Sequence, residues 1–275
     1  MRCRTVVSAL AGVAVWASAA GASEKVDIPD GNLTLTGTLY RPEGDGPFKA
    51  VVALHDCGGL AHRPATTAQL YAEWANHLVA DGFVVLFPDS FDSRGLGSQC
   101  RVRERKVHAS RERVGDANAA RRWLQSQSYV RADRISVIGW SNGATAALWA
   151  VRPTTAPPDG SADFRSAVAF YPGCRKLRAT EWSARVPTLI LIGSADDWTL
   201  ASTCEQMVAG TRGRSAAAKI IVYPGAHHEF DRANTPIRLR TGLVNTANPS
   251  GIAHGGTNPA ARSDALKRVP EWLAR

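Results

Sequence analysis

The chain has 275 residues, 44% of them apolar and 21% charged, and a formal net charge of +9. That balance excludes a disordered chain, and the lack of any 20–50-residue self-similarity excludes a solenoid or propeller. The basic surplus is scattered except at Arg101-Val102-Arg103-Glu104-Arg105-Lys106. Nucleic-acid binders concentrate charge on one face beside stacking aromatics, so this run reads as a solvated loop and helix start, and no nucleic-acid partner is expected.

The first residues read as a signal peptide covering 1–22. Arg2 and Arg4 provide the positive start, Val6 to Ala20 the apolar run, and Ala17-Ser18-Ala19 or Ala20-Gly21-Ala22 the small residues before cleavage. The run is short of the roughly 20 residues a membrane span needs, and no other stretch qualifies, so the expectation is export, periplasmic or secreted, with no membrane attachment afterwards. Residues 23–275 are expected to form one α/β domain.

Leu33 to Tyr40 alternates apolar and polar, as a half-buried antiparallel strand does. Ala50 to Leu54 and Phe83 to Phe87 are continuous apolar runs, the signature of strands buried on both faces. Between them Thr66 to Asp81 reads as a helix ended by Gly82. The alternation continues with a helix over Val107–Gln127, a strand over Arg134–Gly139, a helix over Asn142–Val151, and strands at Ser166–Phe170, Thr188–Ile192 and Lys219–Tyr223. A helix near Leu200–Arg212 separates the last two strands, and Ala260–Leu273 closes the chain. Such alternation builds a mostly parallel sheet covered by helices on both faces. Asn234 to Asn258, rich in Thr, Asn, Gly and Pro, reads as a long surface loop.

Gly139-Trp140-Ser141-Asn142-Gly143 is a G-x-S-x-G with an apolar strand before it and an alanine-rich helix after it. In that context the glycines permit a tight strand-to-helix turn that lifts the serine hydroxyl above the sheet. A serine needs a base, and the base an orienting acid, in the chain order Ser, Asp or Glu, His. The strand at Thr188–Ile192 runs into Gly193-Ser194-Ala195-Asp196-Asp197, and the strand at Lys219–Tyr223 into Pro224-Gly225-Ala226-His227-His228. Asp196 is favoured over Asp197, which is free to cap the following helix, and His228 over His227. The early loop Leu54-His55-Asp56-Cys57-Gly58-Gly59 supplies an oxyanion donor, so the backbone N–H groups of Cys57 and Asn142 are the expected pair. No metal and no cofactor is expected.

Cys57, Cys100, Cys174 and Cys204 lie beyond the leader and permit three pairings. The loops after neighbouring strands meet at one sheet edge, which favours Cys174 with Cys204, and Cys57 with Cys100.

These motifs, together with Pro88-Asp89-Ser90-Phe91 and Tyr223 to Phe230, resemble the dienelactone hydrolase family. The resemblance implies an eight-stranded α/β-hydrolase core, hydrolysis of a small ester or lactone, the acid at Asp196 and the base at His228. It also brings Asp56, Arg94 and Trp140 forward as substrate-side candidates, Arg94 standing for a substrate-carboxylate arginine. The chain departs from the best-known members in having Ser141 for their cysteine, Asp56 for a glutamate, and a leader. The competing readings are a serine peptidase of the prolyl-oligopeptidase type, an acyltransferase or depolymerase, and a non-catalytic binding module.

Overall fold

The computed structural model describes residues 23–60, 65–157 and 160–275, without the side chains of 65–67. The leader read at 1–22 lies outside the described residues. Strands β1 (Glu24–Asp30) and β2 (Leu33–Tyr40) form an antiparallel hairpin at the edge of an eight-stranded sheet. The remaining strands are β3 (Phe48–Leu54), β4 (Phe83–Pro88), β5 (Val130–Trp140), β6 (Ala167–Phe170), β7 (Thr188–Gly193) and β8 (Ala218–Tyr223). They run parallel to one another in the order β1-β2-β4-β3-β5-β6-β7-β8. This is the mostly parallel, helix-covered sheet expected from the strand–helix alternation, in the eight-stranded α/β-hydrolase arrangement that the family resemblance implies.

The apolar runs explain the order. Every residue of β4, β6 and β7 is buried, as is the stretch Ala50–Leu54 of β3, so these strands belong inside the sheet with both faces covered. β1 and β8 are partly exposed and take the edges. From β3 the chain crosses one way to β4 through α1 (Ala65–Ala80), then the other way to β5 through α2 (Glu112–Gln125). Right-handed crossovers in opposite directions put α1 and α2 on opposite faces. α3 (Asn142–Ala150) joins α2, and α6 (Pro259–Leu273) joins α1, where Arg262 meets Glu73 at 2.8 Å. α4 (Arg175–Ala179) and α5 (Ala201–Ala209) complete the second layer.

The direction of winding reverses around β3, and that is where the C-terminal strand ends leave a crevice. The centre of the core beneath it is aromatic. The Trp140 ring stacks between Phe87 and Phe170, at centroid separations of 6.1 and 5.6 Å.

Four features differ from the sequence expectations, each for a local reason. β1 precedes the first predicted strand; it is a short polar edge strand whose pairing comes from the turn at Gly31. α2 starts at Glu112 rather than Val107, because the Glu112 carboxylate accepts the N–H of His108 and holds 107–111 as a turn. The short helix α4 was not foreseen. The loop expected over Asn234–Asn258 contains a two-stranded ribbon, β9 (Arg238–Arg240) with β10 (Ala253–Gly255), each too short for its alternation to register.

Both cysteine pairs favoured by the sheet-edge argument are formed, Cys57–Cys100 and Cys174–Cys204, with Cα separations of 4.9 and 5.1 Å. The second closes a 30-residue separation and ties the loop after β6 to α5. Replacing Cys174 and Cys204 together by alanine should lower the unfolding free energy by about 3–4 kcal/mol. Urea denaturation under non-reducing conditions measures this, and an unchanged midpoint would show that the cross-link leaves stability untouched.

Candidate active site

Ser141 occupies the turn between β5 and α3 at φ 51°, ψ −111°, a left-handed backbone that a serine adopts only under constraint. The constraint is crowding. A Cβ on Gly143 would overlap the carbonyl oxygens of Leu54 and His55, and one on Gly139 would overlap the Gly143 carbonyl. The turn therefore closes only with glycine at both places, and it leaves the Ser141 hydroxyl at the rim of the crevice.

Two further loops converge on that hydroxyl. His228 follows β8, with Nε2 3.0 Å from Ser141 Oγ. Its Nδ1 lies 2.8 Å from Asp196 Oδ2, just beyond β7. The acid and base loops are themselves in contact: Ala195 N–H donates to the Ala226 carbonyl at 3.0 Å, and a Cβ on Gly193 would strike that same oxygen. Asp196 is buried, and its Oδ1 accepts the backbone N–H groups of Trp198 and Thr199 at 3.0 and 2.8 Å. The hydroxyl of Thr199 reaches Asp196 Oδ2 at 3.0 Å and His228 Nδ1 at 3.3 Å. Four contacts converge on one carboxylate and fix its orientation toward His228. Tyr171 and Trp198 pack against the His228 ring with centroids 4.4 and 4.6 Å away.

The neighbours in sequence go elsewhere. Asp197 receives the backbone and ring N–H of His254 at 2.7 and 2.8 Å. It caps nothing: the N-cap of α5 is Leu200, without a side-chain bond. His227 faces His254, with ring centroids 5.5 Å apart.

Asn142 is the first residue of α3, so its N–H has no acceptor within the helix. Its side chain is held by the buried Arg113, whose Nη1 donates to Asn142 Oδ1 at 2.7 Å. Burial pulls the Arg113 guanidinium down to about 10, against the upward pull of Asp116, and it stays a cation at neutral pH. Cys57 sits in the turn made by Asp56, which accepts Gly58 N–H at 2.7 Å. The Cys57 carbonyl accepts the N–H of Gln99 at 2.7 Å, beside the disulfide to Cys100.

None of the three substrate-side candidates lines the cavity beside the relay, and neither do Ser141 and His228 themselves. Trp140 is fully buried beneath the sheet edge and donates to Asp231 at 2.8 Å. Arg94 forms a two-pronged bond with Asp116 at 2.6 and 3.1 Å. Asp56 turns toward Arg232, 3.8 Å away. What lines the cavity, about 350 Å³ in volume, includes Asn142, Thr145, Trp198 and Thr199, together with Arg103, Arg105, His108, Arg175 and Lys176. Among the described residues no aspartate or glutamate lines it.

Sequence reading missed Thr199, whose signal was its place three residues after Asp196. It also missed Asp231, which is fully buried and accepts Trp74, Trp140 and Tyr171, each at 2.8 Å. Burial pushes the Asp231 carboxyl up while those three donors draw it down. Burial, with Asp231 beside it, pushes the Tyr171 phenol well up.

The model of the dienelactone hydrolase family matches residues 35–275. The chain belongs to that family. A Bradyrhizobium sp. protein described as a probable 2-oxo-3-(5-oxofuran-2-ylidene)propanoate lactonase is 23% identical over 82% of this chain and 92% of its own. Among solved structures, a dienelactone hydrolase from Anabaena variabilis superposes with a TM-score of 0.62 at 17% identity, covering 93% of this chain and 98% of that one. Thermogutta terrifontis esterase 2, phosphoramylated by tabun, gives a TM-score of 0.65 at 17% identity, covering 94% and 97%. At such identities the two superpositions carry the fold alone.

The two ambiguous pairs separate by substitution. Asp196→Asn should cost about four orders of magnitude in turnover of an activated ester, by analogy with the loss of an orienting acid, and Asp197→Asn less than about tenfold. His228→Ala should be crippling and His227→Ala mild. The reverse ranking in either pair, in kcat measured on folded protein, would move the assignment by one residue.

Proposed function

We propose that this member of the dienelactone hydrolase family hydrolyses small carboxylic esters or lactones through an acyl-enzyme on Ser141. The observation that carries the reading is the relay from Ser141 Oγ through His228 to Asp196, at 3.0 and 2.8 Å, on a strained serine turn. In the first half-reaction Ser141 Oγ bonds to the carbonyl carbon while its proton passes to His228 Nε2. The carbon–oxygen bond to the alcohol then breaks, and His228 returns that proton to the departing alkoxide; in a lactone the alcohol stays tethered. Water repeats the sequence on the acyl-enzyme and frees Ser141. Asp196, accepting from His228 Nδ1, fixes the tautomer that leaves Nε2 able to take the proton. The N–H groups of Asn142 and Cys57 receive the oxyanion, with the N-terminal end of α3 adding its partial positive charge.

The substrate we assign is an ester or lactone that carries a negative charge. The cavity beside Ser141 presents Arg103, Arg105, Arg175 and Lys176, with no carboxylate among the described residues that line it. The lactonase relative is named for a propanoate, which is itself a carboxylate. Two disulfides support export as the setting, since such bonds persist in oxidising compartments. Among the described residues no helix is long and apolar enough to cross a membrane.

Ser141→Ala should lower ester turnover by roughly four or more orders of magnitude with the fold intact, and a serine-directed phosphonate should label the parent chain once, at Ser141. Retention of more than about a tenth of the activity would remove Ser141 as nucleophile. A dead binding module would take no label.

For the charge preference, an ester bearing a carboxylate should exceed its neutral isostere in kcat/KM by about fivefold to tenfold at low salt. That advantage should shrink with added salt and in the Arg175→Gln, Lys176→Gln double variant. Equal rates for the two esters at low salt would sink the anionic assignment while leaving the hydrolytic one standing.

A further inference from the structure

Next in sequence to Asp196 and His228, three residues meet that the proposed hydrolytic chemistry does not use. Asp197, His227 and His254 each offer one ligand atom, and the three atoms lie within 4.8 Å of one another. They come from three separate segments: the loop after β7, the loop after β8, and strand β10. The Asp197–His254 pair explains itself as an ion-pair-like hydrogen bond of 2.8 Å anchoring the ribbon. That pair does not explain His227. Its ring faces His254, and its Nδ1 is shut off from solvent with no hydrogen-bond partner. A buried ring nitrogen without a partner is costly, and a metal ion is one partner that would satisfy it.

We propose that Asp197, His227 and His254 form a binding site for a divalent transition-metal ion of the zinc type. Two imidazoles and one carboxylate suit Zn²⁺, whereas the hard ions Ca²⁺ and Mg²⁺ select all-oxygen sets. Donors around tetrahedral Zn²⁺ at about 2.0–2.2 Å lie about 3.3 Å apart. A spread of up to 4.8 Å therefore closes with shifts of about 1 Å at the side-chain ends, and water fills the fourth position.

The role follows from the connections. Asp197 adjoins Asp196, and His227 adjoins His228, so the ion would clamp the acid and base loops to each other. His254 adds β10, which already meets the base loop, Gly256 N–H donating to the His228 carbonyl at 3.0 Å. The ion stands outside the crevice and takes no part in bond breaking. It stiffens the backbone that holds the relay in register. The site is independent of the hydrolytic reading.

The test is calorimetric titration of ZnCl₂ into the chelator-stripped full chain with both disulfides formed. One saturable site is expected, together with a rise in Tm. His227→Gln and His254→Gln should each weaken binding by about tenfold or more, while the metal-free variants keep the far-ultraviolet circular dichroism of the parent. Co²⁺ in place of Zn²⁺ should give visible bands of a four-coordinate centre, lost in both variants. Should either variant fold poorly, these bands in the parent chain, with their loss on adding Zn²⁺, still decide the matter. No saturable binding, or binding equally tight in the two variants, would overturn the proposal. Loss of metal binding with ester turnover retained in His254→Gln would separate this site from the catalytic relay.

Discussion

Gly143 has no room for a side chain because the carbonyl oxygens of Leu54 and His55 already stand where its Cβ would be. Helix α3 thereby rests directly on the end of β3, and the geometry above the sheet follows from that contact. The chain leaving β5 has to turn within one residue, which forces Ser141 into its left-handed backbone. A strained residue of this kind costs of order 1–3 kcal/mol and persists only where its surroundings over-determine it. Here they do: Ser141 N–H donates to the Phe170 carbonyl at 2.9 Å and Ser141's own carbonyl accepts Thr145 N–H at 2.9 Å. The same contact sets Leu54 and His55, which lead into the turn carrying Cys57, against the first turn of α3. The positions of the proposed nucleophile and of the proposed oxyanion donors are thus consequences of one backbone crossing.

A second layer of buried charge holds the loops at that crossing. Asp231, two residues after Glu229, gathers donors from α1, β5 and the segment after β6, and so fixes where the base loop departs from β8. Arg232 joins Glu229 at 3.1 Å and faces Asp56 at 3.8 Å, linking the base loop to the turn after β3. Glu229 also binds Arg240 on the ribbon. On the other flank Arg113 ties α2 to Asn142. Buried ions are a poor source of net stability, but removing one partner strands the other. Their effect here is to make the relative placement of the loops all-or-none.

The fold was legible because its cause is written locally. Strands such as Ala50–Leu54 and Thr188–Ile192 are apolar on both faces, and no other element pattern fits five or six such residues between helices. The relay was legible for a related reason: each of Ser141, Asp196 and His228 stands just past a buried strand, and parallel strands bring their ends to one edge. The cysteine pairs yielded to the same argument. Residues whose role depends on contacts between distant segments left no such mark. Asp231 reads as one more acid after an aromatic, and only the folded core shows three donors aimed at it. Arg94 and Asp56 are charged residues in loops near the crevice, yet each finds an opposite charge, Asp116 or Arg232, before it finds the cavity. Trp140, inside the serine motif, points into the core because alternate residues of a strand face opposite sides of the sheet.

The cationic cavity follows a different logic. Arg103 and Arg105 come from the segment before α2, Arg175 and Lys176 from α4, and among the described residues no acid lines the space with them. Like charges across a cavity repel, so the segments carrying them would be expected to splay. Each is cross-linked close by. Cys100 ties the first segment to the turn after β3, and Cys174, adjoining Arg175, ties the second to α5. A covalent restraint thus lies beside each of the two basic segments. A cavity with one sign of charge and low-dielectric walls focuses its field toward the mouth. An anion entering it would relieve the repulsion between its walls as well as gain their attraction. The cross-links and the basic lining thus bear on one feature, the cavity to which the anionic substrate is assigned under the proposed function.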